Sequence, residues 1–268
     1  MEKSVQWAGR YMKLLNLGCG QRYHPDWINV DFNSSGQKVM AHDLNHKLPF
    51  ADNSFDVVYH SHLLEHFPKH HTPIFLKECY RVLKERGIIR VVVPDFEQIA
   101  KLYVALLEKA AEGDEKAQRR YEWIMLEMFD QMVRNKPGGE MLDYWKQNPM
   151  PAEDFVIERV GSEVLNALAV LRSTPVLADA PGSGGSAVHT DSLTPLQIGE
   201  FRMAGEVHQW MYDRYSLKTL LQNAGFINIK KCRADDSSIP DFNGYLLDIE
   251  AEGSVRKPDS LYLEAIKP

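Results

Sequence analysis

The chain is poor in several features that would assign it to a class. Cysteine is scarce: Cys19, Cys79 and Cys232 stand far apart with no C-x-x-C pair. That spacing points to neither a disulfide framework nor a cysteine zinc site. Long apolar runs are missing, and the opening Met1-Glu2-Lys3-Ser4 leads into no hydrophobic segment. The expectation is a soluble, cytoplasmic protein with no membrane partner. No basic block occurs and the net charge is −6, which argues against nucleic acid and anionic membrane surfaces as partners. No internal repeat is visible.

What the chain does have is enough length and apolar content for a sizeable core, with 268 residues and 44% hydrophobic. It reads as one domain over 1–268. The organising stretch is Leu14-Leu15-Asn16-Leu17-Gly18-Cys19-Gly20, an apolar strand that stops on two glycines. A strand buried on both faces belongs in a parallel sheet. Two glycines at its end let the backbone turn sharply and approach a ligand closely. In such sheets the ligand, a nucleotide-like group as a rule, lies outside the carboxyl ends of the strands.

Further strands are read at Trp27–Asp31, Lys38–Leu44, Phe55–Tyr59 and Ile88–Val93, the second and third ending on or near an aspartate. A helix is read over Pro73–Lys84, with Gly87 as its terminating glycine. Parallel neighbours usually need a helical crossover of a dozen residues or more. Gly20 to Trp27 and Asp31 to Lys38 leave room only for loops, so one sheet face lacks its ordinary cover. The helical pattern of 96–134 and Glu153–Arg172, separated by Pro137-Gly138-Gly139, could supply it. Residues 96–205 are therefore read as a helical insertion after strand five, packed on the sheet or roofing the site. Within it Pro181-Gly182-Ser183-Gly184-Gly185-Ser186 is the expected mobile spot. Residues 1–12 read as a short amphipathic helical lead-in. After the insertion, Ser216 is expected to cap a helix to Asn223, and strands are expected at Phe226–Cys232, Tyr245–Ile249 and Leu261–Ile266, the last antiparallel.

These residues resemble a known family. The strand and G-x-G turn, the acid ending strand two, Asp43-Leu44 after strand three, and Leu48-Pro49-Phe50-Ala51-Asp52-Asn53-Ser54-Phe55-Asp56-Val57-Val58 leading to Leu64-Glu65-His66 are similar to class I S-adenosylmethionine-dependent methyltransferases. The closest flavour is the type 11-like group that methylates small molecules. Glu78 to Ile88 fits the same family's helix before strand five. The resemblance implies an α/β fold with a Rossmann-like, mostly parallel seven-stranded sheet of order 3-2-1-4-5-7-6. It implies S-adenosyl-L-methionine as cofactor and methyl transfer to a small-molecule or saccharide-type acceptor. Asn16, Gly18, Cys19 and Gly20 would lie against the amino-acid part of the cofactor, Asp31 at the ribose hydroxyls, Asp43 and Leu44 at the adenine. His60, within the Tyr59–His62 stretch, would line the methyl-donor end. The alternative is a cofactor-binding protein of the same fold without catalysis.

The chain departs from the family at two points. Arg22 stands where a third glycine is common, and the helix that follows the glycine turn is too short or missing. Arg22 is therefore a candidate for the cofactor's carboxylate. A nicotinamide fingerprint beginning at Gly18 fails because Tyr23 occupies its last glycine position, and no Asn-Pro-Pro-aromatic segment of the amino-group nucleic acid methylases follows strand four.

Methyl transfer needs the two reactants held in line with water excluded. A base helps where the acceptor carries a proton, and histidine is the ordinary choice. His208, in the dense Glu206–Asp213 segment, is the first candidate, with His62 and His60 next. Asp95, Glu97 and Tyr212 are candidates for holding the acceptor. His62-Leu63-Leu64-Glu65-His66 also spells H-x-x-E-H, an inverted zinc-peptidase pattern. That pattern needs a long helix, which Pro68 denies, so no metal site is expected.

Overall fold

A computed structural model describes residues 5–7, 10–34, 38–173 and 193–268. Its first strands, β1 (Val5–Trp7) and β2 (Arg10–Met12), pair antiparallel, where the sequence suggested helical turns. The strand Leu14–Leu17 is buried at all four positions and forms β3. It lies at the middle of the sheet, hydrogen-bonded in parallel to β4 (Ile28–Asp31) on one side and β6 (Phe55–Ser61) on the other. β5 (Val39–Ala41) extends the sheet beyond β4. On the far side come β7 (Leu83–Pro94), then β9 (Ser260–Ile266) and β8 (Ile227–Cys232) at the edge. The resulting order β5-β4-β3-β6-β7-β9-β8 has β9 antiparallel to both neighbours. This is the Rossmann-like arrangement that the resemblance implied.

Two helices cover one face. α1 (Thr72–Val82) turns Phe75, Leu76, Cys79 and Val82 inward, and α8 (Arg214–Asn223) adds Leu217 and Leu221. α1 ends at Val82, earlier than expected, because the chain passes directly into β7. Gly87 lies within that strand, where the register against β6 shifts and Arg86 has φ 60°. α8 begins one turn before the sequence reading. Its cap is Asp213, whose carboxylate accepts from the Tyr215 and Ser216 amides, while the Ser216 hydroxyl accepts from the Asp213 amide. Ser216 is thus the far corner of a capping box.

Among the described residues of 1–97 and 209–268, no α-helix covers the opposite face. Residues 18–27, 32–34 and 38 form no helix between their parallel strands. The cover comes from the segment between β8 and β9, which lays Ala234, Ile239, Phe242, Leu247 and Ile249 against Leu14, Trp27, Tyr59 and Val92. This segment is irregular. The expected strand Tyr245–Ile249 is absent: Phe242–Tyr245 is a 3-10 turn, Leu246 has φ 52°, and Ile249 alone bridges to Val255. Irregular backbone lying on a core needs partners for its carbonyls, and Arg90 on β7 supplies them. Fully buried, it donates to the Asp248 and Glu264 carboxylates and to the carbonyls of Arg233, Ala234 and Asp236 at 2.8–3.1 Å. All five guanidinium N–H groups are thereby used.

Contacts divide the chain into two compact units, 1–97 with 209–268, and 98–208. The first holds the sheet. The second is helical, comprising most of α2 (Phe96–Ala111), then α3 (Glu115–Val133), α4 (Gly139–Trp145), α5 (Glu153–Val160), α6 (Ser162–Ser173) and α7 (Pro195–Met203). Gly161, at φ 70°, splits what reads as one helix into α5 and α6. Inside this unit the Arg159 guanidinium grips Glu127 at 3.0–3.2 Å, and Trp123 Nε1 donates to the same carboxylate. The expected mobile spot at 181–186 lies outside the described residues. No helix of the described residues is long and apolar enough to cross a membrane.

Candidate cofactor and methyl-transfer site

Beyond the tip of β3 the backbone turns on Gly18 and Gly20, at φ 64° and 52°. The two glycines serve different ends. A Cβ on Gly18 would lie 2.7 Å from Leu63 Cδ1, so this glycine lets the turn pack against the loop after β6. A Cβ on Gly20 would meet nothing within 4 Å, so its conformation, not its size, is what the turn requires. The turn is tied to β4: the Gly18 and Cys19 amides donate to Val30 O, and the Gly20 amide donates to Asp31 Oδ2 at 2.7 Å. Asn16 is buried, its amide donating to Asn29 Oδ1 and Arg22 O. The Cys19 thiol is pushed up to about 12, by burial first and then by the Asp31 charge. It is not a nucleophile at neutral pH.

A cleft of about 180 Å³ opens at this turn, lined by Asn16, Gly18, Cys19, Gly20, Gln21 and Arg22 on one side. Tyr59, Ser61 and His62 come from the end of β6, and Arg256 and Lys257 from the loop before β9. Pockets for a whole ligand usually run to roughly 300–1,000 Å³, so this cleft suits one end of a larger molecule. Asp31 stands at its edge through the Gly20 bond. Asp43 and Leu44 follow β5, the strand beyond β4. The Asp43 carboxyl closes an Asx turn on the Asn45 amide, which holds it below its usual range, and lies 3.0 Å from His46 Nδ1.

His62 follows β6 directly, in a left-handed conformation at φ 50° that is uncommon for a residue with a Cβ. Its amide donates to Val92 O. Nε2 lies 2.8 Å from Ser260 Oγ and Nδ1 lies 3.3 Å from Glu65 Oε1. Glu65 is wholly buried, and burial raises its carboxyl to about 8. The helix required by an H-x-x-E-H peptidase is not formed: His62 precedes it in left-handed backbone and Leu64–His66 is a single 3-10 turn.

Several expected residues are placed elsewhere. His60 is fully buried against Phe75, and burial drives its ring down to about 3. It is a neutral core residue and not a cofactor contact. Alternate residues of a strand face opposite sides, so His60 falls on the helical face while Tyr59 and Ser61 reach the cleft. Tyr212 is 1% exposed, its hydroxyl 2.8 Å from Thr72 Oγ1, so it belongs to the core and not to an acceptor surface. Asp95 is buried with its carboxylate 3.4 Å from Lys231 Nζ, and Glu97 pairs with Arg214 at 2.9 Å. His208 ends the helical unit, buried, with its amide donating to Gln131 O and Nε2 3.1 Å from Gln131 Nε2. Arg22 lines the cleft, yet its guanidinium donates to Leu246 O, Ile249 O and Glu250 Oε2. It fastens the irregular segment to the glycine turn. Arg256, Lys257 and Ser260 carry no signal in a single sequence, because only the fold brings the first two to the cleft and Ser260 to His62.

The residues suit S-adenosylmethionine: a glycine turn that lets a ligand come close, an acid at the tip of β4 beside it, a second acid after β5, and two cationic side chains, Arg256 and Lys257, in the cleft lining. Comparison with family models agrees. Residues 15–91 match the family model described as a methyltransferase domain. No curated protein matches the chain. Among solved structures, the chain is similar to the CurJ carbon methyltransferase at 9% identity and TM-score 0.42, with 98% of this chain and 50% of that chain covered. It spans half the length of that relative. A SAM-dependent methyltransferase from Archaeoglobus fulgidus gives 14% identity, TM-score 0.40 and coverage of 96% and 86%. A complex of the Haloferax volcanii Trm112 methyltransferase activator with a methyltransferase gives 12%, 0.39, and 96% and 83%. Residues 15–91 are thus similar to a methyltransferase domain, a match with which the glycine turn and the strand order agree and which implies S-adenosylmethionine as cofactor.

Proposed function

We propose that the chain transfers a methyl group to a small-molecule or saccharide-type acceptor whose nucleophile carries a proton, with His62 as the base. The observation that carries this reading is the position of His62: it follows β6, lines the same cleft as Gly18–Gly20, and has a hydroxyl on one ring nitrogen and a buried carboxyl near the other. When bound, S-adenosylmethionine supplies a methyl on a positively charged sulfur, and transfer is an in-line displacement. The protein then has to orient the acceptor and accept its proton.

With the ring proton on Nδ1, Nε2 accepts from the Ser260 hydroxyl. The acceptor's proton passes to Ser260 Oγ as the Ser260 proton passes to Nε2. The ring becomes an imidazolium, and Glu65 at 3.3 Å is placed to stabilise it. Burial alone favours an uncharged Glu65; a cationic ring beside it favours the carboxylate. Tyr59, whose hydroxyl donates to Asp248 at 2.6 Å, is a rigid wall and not a second base.

His62 takes the place given to His208 in the sequence reading. The test is turnover by the full chain, S-adenosylmethionine and a panel of hydroxyl- and amine-bearing small molecules and saccharides. His62→Gln should lower kcat by about 100-fold or more with cofactor affinity retained, and His208→Ala should not. Equal turnover by wild type and His62→Gln would refute the base assignment.

A further inference from the structure

The cofactor's amino-acid end carries a carboxylate, and in this chain the glycine turn offers no helix N-terminus to meet it. Residues 18–27 run as turns and loop into β4. Where a helix follows a glycine turn, its unsatisfied amides and dipole favour an anion; here that contribution is missing. Arg22, the nearest cation in the sequence, is committed to Leu246, Ile249 and Glu250.

The cleft nevertheless has two cationic side chains, delivered from the far end of the chain. Arg256 and Lys257 line it together with the residues of the turn. Their backbone is held on both sides. The Arg256 amide donates to Asp248 O at 3.0 Å, and Tyr262 Oη donates to Lys257 O at 2.9 Å. The loop leading to them closes on itself through Glu250 N to Ser254 O and the Ile249–Val255 bridge. Arg22 fastens this loop to the turn. Both side chains also feel acids of the fold, Arg256 the Asp248 carboxylate and Lys257 the Glu65 carboxyl. Asp248 is held by Arg90 and Tyr59, and Glu250 by Arg22. Asp259 lies 3.5 Å from Ser260 Oγ.

We propose that Arg256 and Lys257 hold the carboxylate of the cofactor's amino-acid end, replacing the helix N-terminus that this chain lacks. Arg22 acts through them as a positioning residue. The assignment rests on S-adenosylmethionine binding at the turn and does not depend on the acceptor or on His62.

The test is calorimetry on the full chain with two ligands, S-adenosylhomocysteine and its decarboxylated analogue, which keeps the nucleoside, sulfur and amine. Wild type should bind S-adenosylhomocysteine about ten-fold or more tightly than the analogue, as a charge-assisted contact requires. Arg256→Gln and Lys257→Gln should each move that ratio toward one while affinity for the analogue stays within about two-fold, which also reports that the variant is folded. A wild-type ratio of one overturns the proposal, as does a wild-type ratio that survives in both variants. Loss of binding to both ligands by wild type would instead refute the cofactor assignment itself, so the two failures are distinguishable.

Discussion

The two faces of the sheet are covered by different means. One carries α1 and α8, amphipathic helices whose apolar stripes interdigitate with the strands. The other carries an irregular segment whose carbonyls and Asp248 converge on one buried arginine. The helical face satisfies its backbone internally and needs only hydrophobic burial. The irregular face cannot do so, and depends on Arg90 for it. The gain is functional: an irregular segment can carry Arg256 and Lys257 to the glycine turn, where a helix packed flat on the sheet would present only its side.

Substitutions can break this contrast. The largest effect is expected for Arg90→Leu, which takes from the buried Asp248 and Glu264 the guanidinium they share and strips three carbonyls of a donor. Removing one partner of a buried pair costs about 3–5 kcal/mol, and urea denaturation should show at least that loss. On the helical face Leu221→Ala should cost about 2–4 kcal/mol through a cavity. Its cofactor affinity should hold once the protein is folded, whereas Arg90 variants should lose stability and affinity together. If Leu221→Ala weakened S-adenosylhomocysteine binding as much as Arg90→Leu, the division of labour between the faces would be wrong.

A smaller effect comes from Glu65. Its folded carboxyl is raised from 4.5 to about 8 by burial, so the folded state holds a proton that the unfolded chain releases. Stability therefore falls as pH rises from about 4.5 to 8, by at most about 1.4 kcal/mol per pH unit. Glu65→Gln should flatten this slope, and thermal melts at pH 5 and 8 would compare the two. An unchanged slope would mean that Glu65 is already ionised in the fold. The least effect is expected for Arg22→Ala. Its bond to Glu250 is partly exposed, so about 1 kcal/mol or less is at stake. Limited proteolysis should instead cut more readily within 246–257.

Much of the helical face is legible in the sequence. The periodic spacing of Phe75, Leu76, Cys79 and Val82 marks α1, and the apolar runs mark the strands. The glycine turn and the acids at 31 and 43 are local patterns, and they sit at strand tips. The irregular face is not legible in the same way. A helix or strand announces itself by period, but residues 233–259 have none. The shortage of crossover helices is readable, yet what fills the space is found 200 residues later. Arg90 looks like an interruption of Ile88-Ile89-Val91-Val92, and only the sheet register places it under Asp248 and Glu264. His60 and His62 differ by the alternation of one strand and the turn that ends it. Once β6 is in register, His60 must fall to the core while Tyr59 and Ser61 reach the cleft.

The decisive measurement is a crystal structure of the full chain with S-adenosylhomocysteine. The amino-acid end should lie against Gly18–Gly20 with its carboxylate on Arg256 and Lys257, the ribose at Asp31, and the sulfur on the side of His62. A ligand seated away from the glycine turn, or one whose sulfur faces away from His62, would contradict that placement.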